Sequence, residues 1–359
     1  MIISEYTPNF LFIFSLTSLI ITILTAGLKN KAISNSIALF LVIMYVVLFG
    51  LRDYSIGSDT EAYVDNFLYN NWDFEPLFTL ITYVIKLFVN DPTIYLIILS
   101  LIYGVNIYLS YIVVGKNVKS YIIIFIWTIL FSQGMLTGTI NYFRQALGFS
   151  FLLLGFFLYL NKEKLSFLSC ILIISSILIH NSNSILILLI FISRFIKVRW
   201  IIVVYFLSLI ALSLDIGQTM INDYGEYHII QRTLARHLYF NDRRSIETIY
   251  MYILLYSSQF LFFLYFRNKL EKKHLYGNLL KVYGLILSFS IFLSFNREMA
   301  IRYYIILQYI IPILYLYIST CIKQKMIFSI LFASYTMLYF YYLLSRPWFT
   351  DQFLGNITQ

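Results

Sequence analysis

The chain has 359 residues, of which 60% are hydrophobic, 19% aromatic and only 12% charged. A soluble domain of this length needs far more polar surface, so the expected fold class is an all-α polytopic integral membrane protein. The formal net charge of +9 sits mostly in short loops between apolar runs, which is the pattern of membrane topology and not of nucleic-acid binding.

Along the chain, the first apolar run (10–28) has no basic stretch before it and is long enough to span, which argues against a secretory signal. Further spans are expected at 33–50, 93–114, 120–136, 145–160, 165–180, 183–196, 200–214, 248–266, 277–295, 302–320 and 326–344, about 12 transmembrane helices in all. Another run, 77–89, contains Lys86 and is short for a crossing. Two loops are large, 51–76 and 215–247. No internal repeat, low-complexity linker or soluble domain interrupts the pattern, so residues 1–359 read as a single membrane domain. Cys170 and Cys321 lie far apart, in or at the ends of apolar runs, and support neither a disulfide nor a metal site.

Lysine sets the orientation. Loops bearing Lys29 and Lys31, Lys116 and Lys119, Lys162 and Lys164, Arg194 to Arg199, Arg267 to Lys273, and Lys323 and Lys325 are assigned to the cytoplasm. They hold 15 of the 26 basic residues, and Lys86 and Lys281 fall within apolar runs. The remaining nine lie outside and are all arginine: Arg52, Arg144, Arg232, Arg236, Arg243, Arg244, Arg297, Arg302 and Arg346. Fifteen of the 17 acids share that side. Keeping loop 51–76 outside requires 77–89 to form a short re-entrant or interfacial helix. The alternative is a full crossing there, with the N-terminus and first loop placed differently.

Arginine without lysine suits forked gripping of phosphate or carboxylate. The stretch Arg52 to Glu61 interrupts an apolar chain, and a membrane tolerates such a cluster where it lines a wet cavity or does chemistry. Gly57 permits a turn that swings Asp59 back toward the membrane, where a carboxylate can act as a general base. The plain alternative is a solvated acidic loop. Arg144 sits at the outer end of a span beside Gln145, as a ligand-facing arginine or a snorkelling one. His180 ends an apolar run; it either caps a helix or titrates near neutrality, and alone it makes no metal site. Arg297 and Arg302 lie five apart and repel unless an anion or Glu298 intervenes. Arg232 and Arg236 are one helical turn apart, on a short amphipathic helix that either covers headgroups or grips substrate.

Arg52 followed by Gly57-Ser58-Asp59, Tyr63 and Glu75-Pro76 resembles the first-loop pattern of the EpsG family of exopolysaccharide and O-antigen (Wzy-type) polymerases. Phe143-Arg144-Gln145-Ala146, His180 and Arg302-Tyr303-Tyr304 resemble its later landmarks in order, over roughly residues 40 to 310. Thr60 departs from the pattern, which commonly has an aromatic there. The resemblance implies a bacterial inner-membrane glycosyltransferase of GT-C-like fold that needs no cofactor or metal. Its substrate would be an undecaprenyl-diphosphate-linked oligosaccharide, with membrane lipid and a chain-length regulator protein as further candidate partners. The glycan would pass at the periplasmic face from its lipid diphosphate to a sugar hydroxyl of a lipid-linked repeat unit. In that chemistry arginines neutralise the diphosphate and Asp59 or His180 takes the proton. Arg144 and Arg302 would be the clamps, with Arg52, Arg297, Tyr63, Glu75, Arg232 and Arg236 also at the substrate. An O-antigen ligase, or a lipid-linked oligosaccharide flippase, are the alternatives. A transporter should carry midplane charges and related halves; here the charges cluster at outer span ends.

Overall fold

A computed structural model describes residues 8–346 apart from 29, 58, 72, 117, 119–120, 163, 218, 220–245 and 271–273, and the described residues form helices with no strand. In order these are α1 (Pro8–Ala26), α2 (Lys31–Gly50), α3 (Thr60–Tyr69), α4 (Pro76–Lys86), α5 (Pro92–Gly115), α6 (Ile122–Leu130), α7 (Gln133–Ile140) and α8 (Phe143–Lys162). There follow α9 (Phe167–Ile179), α10 (Asn183–Phe195), α11 (Val198–Ser213), α12 (Ile246–Phe266), α13 (His274–Phe292), α14 (Arg297–Ser319) and α15 (Lys325–Leu344). Their starts are set by side chains that accept from otherwise orphaned backbone N–H groups. Asn30, Asp91, Ser132 and Ser166 do this for α2, α5, α7 and α9. Pro76 and Pro92 open α4 and α5, where the missing N–H costs nothing.

Among the described residues seven helices are long and apolar enough to cross a membrane: α2, α5, α8, α12, α13, α14 and α15. The pair α6 and α7, bent by 48°, makes an eighth if it counts as one span. The other expected spans are shorter apolar helices; α9 and α10 have 13 residues each, about 20 Å against a hydrocarbon thickness of about 30 Å. The break between α6 and α7 is tolerable because almost every residue of both is buried, which shields the freed backbone groups from lipid.

The chain divides into two compact units, residues 1–187 with 315–359, and residues 188–314. In the first, α2 runs antiparallel to α5. Gly50 lies against Ile97, Gly104 against Val46, and the Tyr108 hydroxyl donates to the Asn35 carbonyl at 3.1 Å. The chain between them therefore leaves and re-enters at one end, and α4, with 11 residues or about 16 Å, has no crossing to make. In the second unit α11 and α12 pack on α13, with Gly284 against Ile201 and Phe260.

The two lysines inside apolar runs have one physical explanation. Lys86 donates to the carbonyls of Phe67 and Leu68 and to Asn70 Oδ1 at the end of α3. Lys281 donates to the Ser193 carbonyl near the end of α10 at 2.9 Å. Each satisfies C-terminal carbonyls that have no helical partner, where a cation is also favoured by the helix dipole.

Single cysteines placed at Ser58, Thr233 and Met299, with Cys170 and Cys321 replaced, should all react with an impermeant thiol reagent added from outside. Protection at position 58 alone would mean that residues 77–89 cross the membrane.

Candidate active site

The Arg52 end of α2 collects most of the sequence-expected residues of the first unit. Gly57 has φ of 87°, and a Cβ there would come within 2.5 Å of the Ile140 carbonyl oxygen, so only glycine permits this turn over the end of α7. The turn delivers Asp59 to the N-cap position of α3, half-buried, where Tyr63 Oη donates to Asp59 Oδ2 at 3.2 Å. Burial and the facing Asp59 push the Tyr63 phenol above its ordinary pKa, so it stays a donor. Asp53 is spent locally: it accepts from the backbone and hydroxyl of Ser55, which hold its carboxyl below the usual range.

Arg52 is only 1% exposed. Its Nε donates to Thr60 Oγ1 and its Nη1 to the Phe49 carbonyl, both at 3.0 Å, and its guanidinium lies 5.7 Å from the Phe143 ring. Nη2 is buried with no hydrogen-bond partner among the described residues. Desolvation lowers its pKa to about 10, which leaves it charged at neutral pH. Thr60, the position that departs from the family pattern, is thus a tether for Arg52.

Arg144, at the start of α8, forms an ion pair through Nη1 with Glu75 Oε2. The pair is largely buried, with side-chain exposures of 22% and 13%. The guanidinium stacks 4.2 Å over Phe74 and 6.0 Å from Tyr63, whose hydroxyl accepts from the Arg144 backbone N–H. Arg144 Nε and the whole side-chain amide of buried Gln145 have no partner among the described residues. Glu75 Oε1 accepts from the Asn181 N–H at 3.4 Å, so one carboxylate joins loop 51–76, α8 and the α9–α10 turn.

That turn carries His180. The backbone N–H of Ser182 donates to His180 Nδ1 at 3.3 Å, and the Ser182 hydroxyl lies 2.7 Å from the same atom. Nδ1 is therefore an acceptor, and the neutral ring carries its proton on Nε2. The turn is seated because α8 and α9 approach closely at Gly148, where a Cβ would meet Asn183 Nδ2 at 2.4 Å. That amide donates to the Gln145 and Ser176 carbonyls.

Arg52, Asp59, Tyr63, Glu75, Arg144 and His180 are thus brought to one neighbourhood of the first unit, tied by direct bonds and by the rings of Tyr63, Phe74, Phe78 and Phe143. Arg297 and Arg302 belong to the second unit. There α14 starts at Arg297, earlier than the expected 302, because Asn296 Oδ1 accepts from the Met299 N–H. The early start puts Glu298 and Arg302 on adjacent turns, with Oε1 to Nε at 3.4 Å. Glu298 thereby supplies an anion for Arg302. Arg232 and Arg236 lie outside the described residues. The sequence marks Thr60 only as a departure from the family pattern and gives Phe74 and Asn183 no role; the signal of all three is their spacing from Arg52, Glu75 and His180.

Thr60→Val removes the Arg52 Nε acceptor and leaves a second buried charged donor unpaired. A loss of roughly 1–3 kcal/mol is expected, seen as a lower melting temperature in detergent. Thr60→Ser should melt like the parent; equal melting of the valine variant would show that Arg52 does not depend on this bond.

The family model of the EpsG family matches residues 35–354. No curated protein and no solved structure matches the chain.

Proposed function

Because the chain belongs to the EpsG family, a family of polysaccharide-polymerase-like membrane proteins, we propose that it extends a glycan on a lipid diphosphate at the outer membrane face. In this reading a sugar hydroxyl of one lipid-linked repeat unit attacks the anomeric carbon of the growing chain. The bond from that carbon to the diphosphate breaks, undecaprenyl diphosphate leaves, and the hydroxyl proton passes to a base. A single GT-C-like membrane domain of the bacterial inner membrane, acting without a metal, suits this chemistry.

The observation that carries the proposal is a set of cationic donors that the protein itself leaves unused. Arg52 Nη2, Arg144 Nε and the amide of Gln145, next to Arg144 on α8, are buried and unpartnered among the described residues. Leaving charged donors so is costly unless an anion takes them up. A diphosphate offers several strong acceptors and gains negative charge as the sugar departs, so these donors bind the transition state more tightly than the ground state. Both substrates of such a polymerase carry a lipid diphosphate, and the described residues include the arginine–carboxylate pairs Arg144–Glu75 and Arg302–Glu298. Arg144 with Arg52 serves as one clamp, and Arg302 with Arg297 as the other. Arg232 and Arg236 of the 215–247 loop belong to the same substrate-holding set.

Asp59 is the base in this reading, oriented by the Tyr63 hydroxyl. His180 presents a proton on Nε2 and suits orientation of a sugar or phosphate oxygen. Glu75 positions Arg144 and the His180 turn.

Lysine cannot reproduce a stacked, forked guanidinium. Arg144→Lys and Arg302→Lys should each lower polymerisation about 10²–10³-fold, read as shortened glycan ladders in a deletion strain complemented with inserted protein. Full-length ladders from both would reduce the arginines to interface anchors. Ladders of the deletion strain itself separate the activities. Single capped repeats indicate a lost polymerase, unsubstituted core a lost ligase, and absent surface glycan a lost flippase.

Removal of a general base typically costs about 10²–10⁴-fold. Asp59→Asn should lose chain extension of purified lipid-linked repeats almost fully, with His180→Gln less affected. Long chains from Asp59→Asn and none from His180→Gln would exchange the two roles.

A further inference from the structure

At the opposite end of α2 from Arg52, the first unit contains a cavity of about 740 Å³. Three lysines reach it from three separate helix ends: Lys31 is the first residue of α2, Lys325 the first of α15, and Lys116 follows the last residue of α5. Asn35 adds a polar group, while Leu28 and Ile122 belong to an aliphatic part of the wall. Among the described residues no carboxylate lines the cavity. Among the described residues no hydrogen bond or ion pair engages any of the three ammonium groups.

Two effects make this arrangement unfavourable in isolation. Like charges converge on one space, and two of them sit at helix N-termini, where the dipole favours an anion; neither α2 nor α15 has an acid in its first turn. A topological bias toward lysine explains cations in these loops, but not their convergence on one cavity. An anion placed among them relieves both effects. Lysine offers compact, freely rotating charges without the fixed fork of arginine, which suits a phosphate bound by charge. The aliphatic wall at the ends of apolar helices suits an acyl or glycerol portion attached to that phosphate.

We propose that this cavity binds the phosphate head of an anionic membrane phospholipid, at the lysine-bearing end of the protein and separate from the arginine site. Lipid and free phosphate share the recognised chemistry, and the wall selects the lipid.

The test is titration of the full-length protein in neutral detergent, read by native mass spectrometry, with dioleoyl phosphatidylglycerol, dioleoyl phosphatidylcholine and inorganic phosphate as probes. Phosphatidylglycerol should bind at least about tenfold more tightly than phosphatidylcholine. Its affinity should fall about fivefold for each of Lys31→Gln, Lys116→Gln and Lys325→Gln, and about a hundredfold for all three. Lys164→Gln, a lysine outside the cavity, should change nothing. The three Lys→Arg changes keep the charge and should retain binding, which separates charge loss from misfolding even if the triple glutamine variant is unstable. Equal binding of both lipids, or single glutamine variants that bind as Lys164→Gln does, would overturn the site. Inorganic phosphate binding as tightly as phosphatidylglycerol would overturn the lipid assignment.

Discussion

Loop 51–76 is polar and acidic, and its far end is fastened to the helical body through the Glu75 carboxylate. One oxygen faces Arg144 and the other the Asn181 N–H, so three segments distant in sequence meet on one charge. The energy of such a pair depends on its solvation. Exposed pairs contribute about 0–1 kcal/mol, whereas removing one member of a fully buried pair costs about 3–5 kcal/mol. With both partners mostly covered, this contact lies between those limits, nearer the buried one. Phe74, Tyr63 and Phe143 form an aromatic shell that stacks on the guanidinium groups. Without the carboxylate, Arg144 would be a partly buried cation with only ring faces to hold it.

The backbone supplies the geometry on which that charge pair depends. Broken at 131–132, the α6–α7 pair ends beneath the Gly57 turn, and the turn hands Asp59 to α3. Close approach at Gly148 fixes α9 against α8, and with it the distance from Arg144 to the His180 turn. Lys86 completes the frame: by satisfying the last carbonyls of α3 it joins α3 to α4 without a membrane crossing. Each device places a polar group at a helix end and leaves the helix middle apolar, which is how a membrane protein can hold charge at modest cost.

Much of this was legible in the sequence because hydropathy and charge act locally. Apolar runs mark helices, and Gly57 before Asp59 signals a turn. Span counting rests on apolar length, and apolar sequence does not report where a helix starts and stops. The expected runs 165–180 and 183–196 become the 13-residue helices α9 and α10, separated by the His180 turn, and both keep many apolar side chains exposed. The Arg297 start of α14 was missed because its cap, Asn296, precedes two charged residues that lower the apparent hydropathy. Thr60 was hidden for another reason: its value lies in one hydrogen bond across eight residues, which no periodicity reports.

The choice of arginine over lysine at this site has a structural logic beyond charge count. A guanidinium can rest its face on an aromatic ring and keep its edge donors for oxygen acceptors. Arg144 does so: its face lies on Phe74, one edge nitrogen meets Glu75, and Nε remains unpartnered among the described residues. Arg52 repeats the arrangement with Phe143, Thr60 and an unpartnered Nη2. An ammonium on a ring would retain donors too, but not coplanar ones fixed in direction. The aromatic shell therefore orients the cations as well as shielding them, and it holds the leftover donors in fixed directions. In the proposed reaction, that preorganisation would stabilise a developing negative charge without the solvent rearrangement it would need in water.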